Sequence, residues 1–189
     1  MIGGIWLGEI ILCGLPKAET TLLGFHGESV RRGEEAGARG RQSYVRPGLD
    51  GLAVAWRLTF CFKSELTTIP VVRRLVGHIA RMEGASDEVS QSVEVSVGEV
   101  LANAYHHAYK GTVGPLELEV SCDGRQLRIL IHDDGAPVVD KPAIPRVLPK
   151  GAGGRGLYIV GQLMDEAEVI HPRGENGGTA VRLAKDLRG

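Results

Sequence analysis

Between Leu116 and Ile131 the chain reads LELEVSCDGRQLRILI, and this stretch restricts the fold more than any other. Leu116, Leu118, Val120 and Cys122 alternate with Glu117, Glu119 and Ser121, the period of a strand with one buried face. Asp123-Gly124 supplies a hairpin turn, and Leu127, Ile129 and Ile131 return on the same apolar side. Alternation of this kind favours antiparallel pairing and requires a cover over one face.

The cover is found upstream, where the apolar period changes from two to that of a helix. Thr68 is placed to cap a helix with Ile69 and Pro70 in its first turn, followed by a stripe of Val72, Leu75, Val76, Ile79 and Met82. Gly84 closes it. Ser86 then opens a longer helix, with Asp87 and Glu88 at the positive end of its dipole and Val89, Val93, Val97, Val100 and Ala104 facing inward. WRLTFCF from Trp56 reads as an edge strand. A short helix over Leu157 to Met164 and two strands, around Val169 and from Ala180 to Leu183, complete the pattern. The expected fold class is α+β: a two-layer sandwich with a mainly antiparallel sheet.

Ahead of this lies FHGESVRRGEEAGARGRQSYVRPGLDG, rich in Gly, Arg and Glu and without either apolar period. Residues 1–55 are therefore expected to be a poorly ordered extension, and residues 56–189 the functional domain. The apolar IGGIWLGEIILCGL is interrupted by Glu9 and too short to span a bilayer, so neither leader nor membrane anchor is expected. A net charge of -1 gives no electrostatic footprint for direct nucleic-acid binding. Cys13, Cys61 and Cys122 are widely spaced, with no metal-ligand pattern, and suit a reducing cytoplasm.

Three polar stretches interrupt this scaffold. The first six letters of GAGGRGLYIVGQLMDEAEV, from Gly151, fit a G-x-G-x-x-G dinucleotide loop. That loop needs a buried strand before it, whereas KPAIPRVLPK holds Pro142, Pro145 and Pro149, which a central strand excludes. On the second helix Glu99, Asn103 and His107 recur at spacing four, so they share a face among Val97, Val100, Leu101 and Ala104. An Asn oxygen is a hard ligand suited to Mg²⁺, and a carboxylate one turn away can position a nucleophile. The third stretch is Asp133-Asp134-Gly135 at a strand end, where glycine gives a carboxylate access to a base edge.

In this order and on these elements, the three stretches resemble the GHKL ATPase superfamily, the Bergerat fold of gyrase, histidine kinases, heat-shock chaperones and mismatch-repair ATPases. E-x-x-x-N-x-x-x-H at Glu99, Asn103 and His107 looks like the N box. DDG at Asp133 to Gly135 resembles the first glycine box, and GGRGL at Gly153 to Leu157 the second. The short stretch between Gly135 and Gly153, together with GRGLYIVGQLMDE, is most similar to the bacterial anti-sigma factor serine kinases.

The resemblance implies ATP and Mg²⁺ as cofactors. Asn103 would hold Mg²⁺, Glu99 would receive the substrate hydroxyl's proton, and Asp133 would accept a hydrogen bond from the adenine amino group. His107, Gly135, Gly153, Gly154, Arg155, Gly156 and Leu157 would complete the nucleotide site, and Arg73 would contact a partner. Two departures stand out: Pro137 occupies the last position of the first glycine box, and Ala152 the place of a lid arginine. Lys150, Arg146 or Arg155 would then carry charge near the γ-phosphate. The implied protein is a cytoplasmic homodimer that phosphorylates a serine or threonine on an anti-anti-sigma antagonist of the STAS type and sequesters a sigma factor. The alternative is an ATP-binding anti-sigma module that transfers no phosphate.

Overall fold

The computed structural model describes residues 10–11, 56–136, 144–150, 154–170 and 178–188. Among the described residues six strands form one sheet: β1 (Ile10–Ile11), β2 (Trp56–Lys63), β3 (Pro115–Cys122), β4 (Gln126–Asp133), β5 (Glu166–Ile170) and β6 (Thr179–Asp186). Their spatial order is β1-β2-β3-β4-β6-β5, and every neighbouring pair is antiparallel. With the α-helices α1 (Ile69–Met82), α2 (Asp87–Asn103) and α3 (Arg155–Leu163), the described residues have the α+β architecture expected from the alternation. Ile10 and Ile11 pair with Phe60 and Thr59, so the stretch set apart as an extension contributes one short strand beside β2. The rest of residues 1–55 lies outside the described residues.

The hairpin forms where Asp123-Gly124 places it. Gly124 takes a φ of +89°, and Asp123 Oδ1 accepts from the backbone N–H groups of Arg125 and Gln126 at 2.9 and 2.8 Å. Those two bonds, with the Arg128 guanidinium, hold the Asp123 carboxyl down to about 2. The core lies between sheet and helices, where Val76, Val93, Val97 and Leu101 meet Leu118, Val120, Leu127, Ile129 and Leu183, all fully buried. Burial of each such side chain contributes roughly 1.5–3 kcal/mol before ordering entropy is counted.

Three expectations need correction. Thr68 does not cap α1: its backbone is already helical (φ -81°, ψ -35°), and its side chain makes no capping hydrogen bond. The buried stripe of α1 is Ile69, Val72, Val76, Gly77 and Ala80, which leaves Leu75 at 40% and Met82 at 74% exposure. The cause is the close crossing with α2, where a side chain on Gly77 would come within 3.1 Å of Glu94 Cβ. On β3, Glu119 and Ser121 are buried although they face away from the core. There Glu119 pairs with Arg57 of β2 at 3.3 Å, so a charged cross-strand contact replaces the solvated row that simple alternation suggests. The other reading of this segment holds: Leu116, Leu118, Val120 and Cys122 are all buried.

Ser86 caps α2 as expected, accepting from the Val89 N–H at 3.2 Å, and Val89, Val93, Val97, Val100 and Ala104 are buried. α2 then changes character. Ala104–Ala108 is a π-helical turn, in which the Tyr109 N–H donates to the Ala104 carbonyl at 3.0 Å. Among the described residues no helix is long and apolar enough to cross a membrane.

Candidate functional site

Two groups of residues converge on the carboxy-terminal end of α2. The first joins α2 to the start of α3. A Cβ added to Gly156 would collide with Glu99 Oε2 and lie 3.7 Å from Asn103 Nδ2. Glu99 and Asn103 are both half-buried, and the missing side chain at Gly156 is what lets the first turn of α3 approach them. Gly154, just before that turn, has a φ of +77°, the left-handed conformation that turns the chain into the helix. The sequence-based helix start at Leu157 was late; α3 begins at Arg155. The N–H groups of this first turn, next to a carboxylate and a side-chain amide, suit an anion and a hard cation together. Glu99 and Asn103 thus fit a Mg²⁺-bearing polyphosphate by donor chemistry and by the close approach of the first turn of α3 that Gly156 allows.

The second group sits where β4 ends. Asp133 is 7% exposed and lies on the core-facing side of the strand, opposite Thr179 in register. Burial pushes the Asp133 carboxyl above its ordinary value, against the lowering effect of the Gly135 N–H, which donates to Oδ1 at 3.0 Å. Thr179 is equally buried, and its hydroxyl has no hydrogen-bond partner among the described residues. Among the described residues, a buried carboxylate beside a buried hydroxyl without a partner is an incomplete hydrogen-bonding set, which a flat polar group such as a base edge can complete.

Gly135 is required for a reason other than access. A Cβ there would lie 2.6 Å from Ala108 Cβ and 2.7 Å from its carbonyl oxygen, and the Ala136 N–H donates to that same carbonyl at 3.0 Å. The DDG turn is pressed against the π-helical exit of α2. Gly135→Ala should therefore cost about 1–3 kcal/mol of stability, because backbone as well as side chain must shift. Urea denaturation of the variant checks this; an unchanged midpoint would show that the turn is free to move.

The remaining expected residues are less concentrated. His107 is exposed on the π-helical turn, where bonding from residue i to i+5 replaces the regular register that put it in line with Glu99 and Asn103. Leu157 is half-buried, whereas Lys150, Arg146 and Arg155 are exposed on the segments flanking the start of α3. Gly153, Ala152 and Pro137 lie outside the described residues. Arg73 crosses from α1 onto α2, with its Cδ 3.0 Å from where a Gly98 side chain would begin and its Nε 3.7 Å from Glu94 Oε1. Thr179 was missed by the sequence reading, since its burial follows from register with β4 and not from any local pattern.

Residues 62–185 match the family model described as the histidine kinase-like ATPase domain. The chain belongs to that family. Within this histidine kinase-like ATPase family, it is 24% identical over 119 residues to the serine-protein kinase RsbW of Bacillus thuringiensis, covering 56% of this chain and 72% of the relative. The same figures hold for RsbW of Bacillus anthracis. The crystal structure of the RsbU and RsbW domains of Rv1364c from Mycobacterium tuberculosis superposes with a TM-score of 0.50 at 18% identity. That likeness covers 69% of this chain but only 32% of the mycobacterial one, and it bears on fold alone.

Proposed function

We propose that this histidine kinase-like ATPase domain binds Mg-ATP, phosphorylates a serine or threonine of an antagonist protein and, according to that antagonist's state, releases or sequesters a sigma factor. The observation that carries the reading is the placement of Glu99 and Asn103 against Gly156 in the first turn of α3. The named RsbW relatives, all serine-protein kinases, support the same class of reaction. Asn103 would hold the metal through its amide oxygen. Glu99 takes the proton of the incoming hydroxyl, whose oxygen bonds to the γ-phosphorus as the bond to the ADP oxygen breaks. Mg²⁺, when bound, neutralises phosphate charge. The N–H groups from Arg155 onward meet the same charge, and Lys150, Arg146 or Arg155 supplies a cation beside it. Asp133 and Thr179 read the adenine edge: a carboxylate accepts from the amino group of adenine and repels the carbonyl that guanine presents there. The protein acts as a cytoplasmic homodimer in this scheme, with Arg73 toward its partner.

The experiment is transfer of labelled γ-phosphate from ATP to a candidate antagonist, run beside nucleotide binding. Binding of ATP and partner without any transfer would leave an anti-sigma binding module in place of a kinase.

Asp133→Asn tests the base pocket. Because burial raises the folded carboxyl's pKa above 3.8, the folded protein retains a proton that the unfolded chain releases only between the two values; stability falls as pH rises through that window, above which the folded group is a carboxylate held at a cost. Asn keeps an oxygen for the Gly135 N–H and carries no charge. The variant should be more stable than wild type at pH 7, with the advantage fading below about pH 4. It should also bind ATP roughly ten- to hundredfold more weakly, the cost of losing a charge-assisted hydrogen bond. Denaturation between pH 3 and pH 8 with parallel ATP titrations reads both; a destabilised variant, or one that binds ATP normally, refutes this role.

A further inference from the structure

The turn that carries Asp133 is held from outside by one aromatic side chain. The Asp134 N–H donates to the hydroxyl oxygen of Tyr109 at 2.9 Å, and that hydroxyl in turn donates to the Pro115 carbonyl at the start of β3. Leu116, the next residue, pairs across the sheet with Asp133 itself. The tyrosine ring fills the space over Gly114, where any Cβ would collide with it. Burial raises the pKa of the hydroxyl, so it stays protonated and can donate and accept at once. Tyr109 also follows directly on Ala108, the residue against which Gly135 packs. The hydroxyl thus ties the base-end turn to β3 and to the helix that bears Glu99 and Asn103.

We propose that Tyr109 is a positioning residue for base selection, fixing the Asp133–Ala136 turn so that the Asp133 carboxylate meets adenine in one geometry. The proposal rests on the nucleotide-binding reading above. Tyr109 touches no substrate in this scheme; it acts through the Asp134 N–H. Loss of one neutral hydrogen bond typically changes an equilibrium about five- to tenfold.

Two variants approach the tie from opposite sides. Tyr109→Phe removes the hydroxyl and keeps the ring, while Gly114→Ala displaces the ring and leaves the hydroxyl present. Both are compared with wild type by binding of ATP, GTP and inorganic tripolyphosphate, and by amide hydrogen exchange without ligand. The expected result is about five- to tenfold weaker ATP binding, a similarly reduced preference for ATP over GTP, unchanged tripolyphosphate binding, and faster exchange at Asp134 while α2 and β4 stay protected. Equal losses for ATP and tripolyphosphate would indicate general loosening and overturn the proposal, as would an unchanged ATP-to-GTP ratio. A wild type that binds tripolyphosphate but shows no preference for ATP overturns both base reading and positioning. Wild-type preference that survives in both variants overturns the positioning alone.

Discussion

Glu99→Gln should still bind Mg-ATP while its phosphate transfer to the antagonist falls by roughly two to four orders of magnitude, the usual worth of a positioned general base. The substitution keeps the shape of the side chain beside Gly156 and removes only its basicity. Asn103→Ala should behave differently, one turn further along α2. It deletes a metal ligand, so nucleotide binding and transfer decline together. The contrast is informative because both side chains approach the same glycine, and a general disturbance of the site would affect the two variants alike. Transfer from labelled ATP and equilibrium binding are measured for wild type and both variants. Equal transfer by wild type and Glu99→Gln shows that Glu99 is not the base.

Gly156→Ala should reproduce much of the Glu99 defect without touching Glu99. The added Cβ would overlap Glu99 Oε2 but lie 3.7 Å from Asn103 Nδ2, an ordinary contact. The atom that must yield is the free end of a flexible side chain, so the fold should tolerate the change. The carboxylate is turned away from its working position, and a misplacement of about 1 Å can cost 10²-fold in rate. Transfer should therefore fall about a hundredfold, with thermal stability near that of wild type and metal-dependent binding largely kept. Full transfer by the variant would mean that Glu99 works from some other rotamer; loss of the folded state would mean that the α2–α3 contact cannot relax.

How far the sequence could foretell this site depended on whether the relevant signal was local. The hairpin was legible because Asp123-Gly124 and the alternation on both sides agree, and the face of α2 because valines recur at helical spacing. Glu99, Asn103 and Gly156 are 57 residues apart at their extremes, and what joined them on paper was the resemblance to a family, not periodicity. The inner face of α1 was misread because Leu75 and Met82 are as apolar as the residues that do pack. What decides the matter is the close approach at Gly77, a glycine that contributes nothing to an apolar stripe. The π-helical turn left no readable sign in AYHHA, and without it His107 had seemed aligned with Asn103. Thr179 depends on pairing between β4 and β6, whose partner residues lie far apart in the chain.

The position of β6 between β4 and β5 also bears on the order in which the molecule can be assembled. During synthesis β4 and β5 emerge before the strand that separates them, so until then neither has its native neighbour on that side. A hydrogen-bonding edge of β4 stays open over Gln126–Asp133 in the meantime, beside a strand whose core face is strongly apolar. Long-range pairing of this kind is slow relative to helix formation, and an uncovered edge is a template for wrong partners. Aggregation during expression should accordingly depend on how quickly β6 docks, and substitutions in Thr179–Asp186 that slow docking should lower the soluble yield even where the finished domain remains stable.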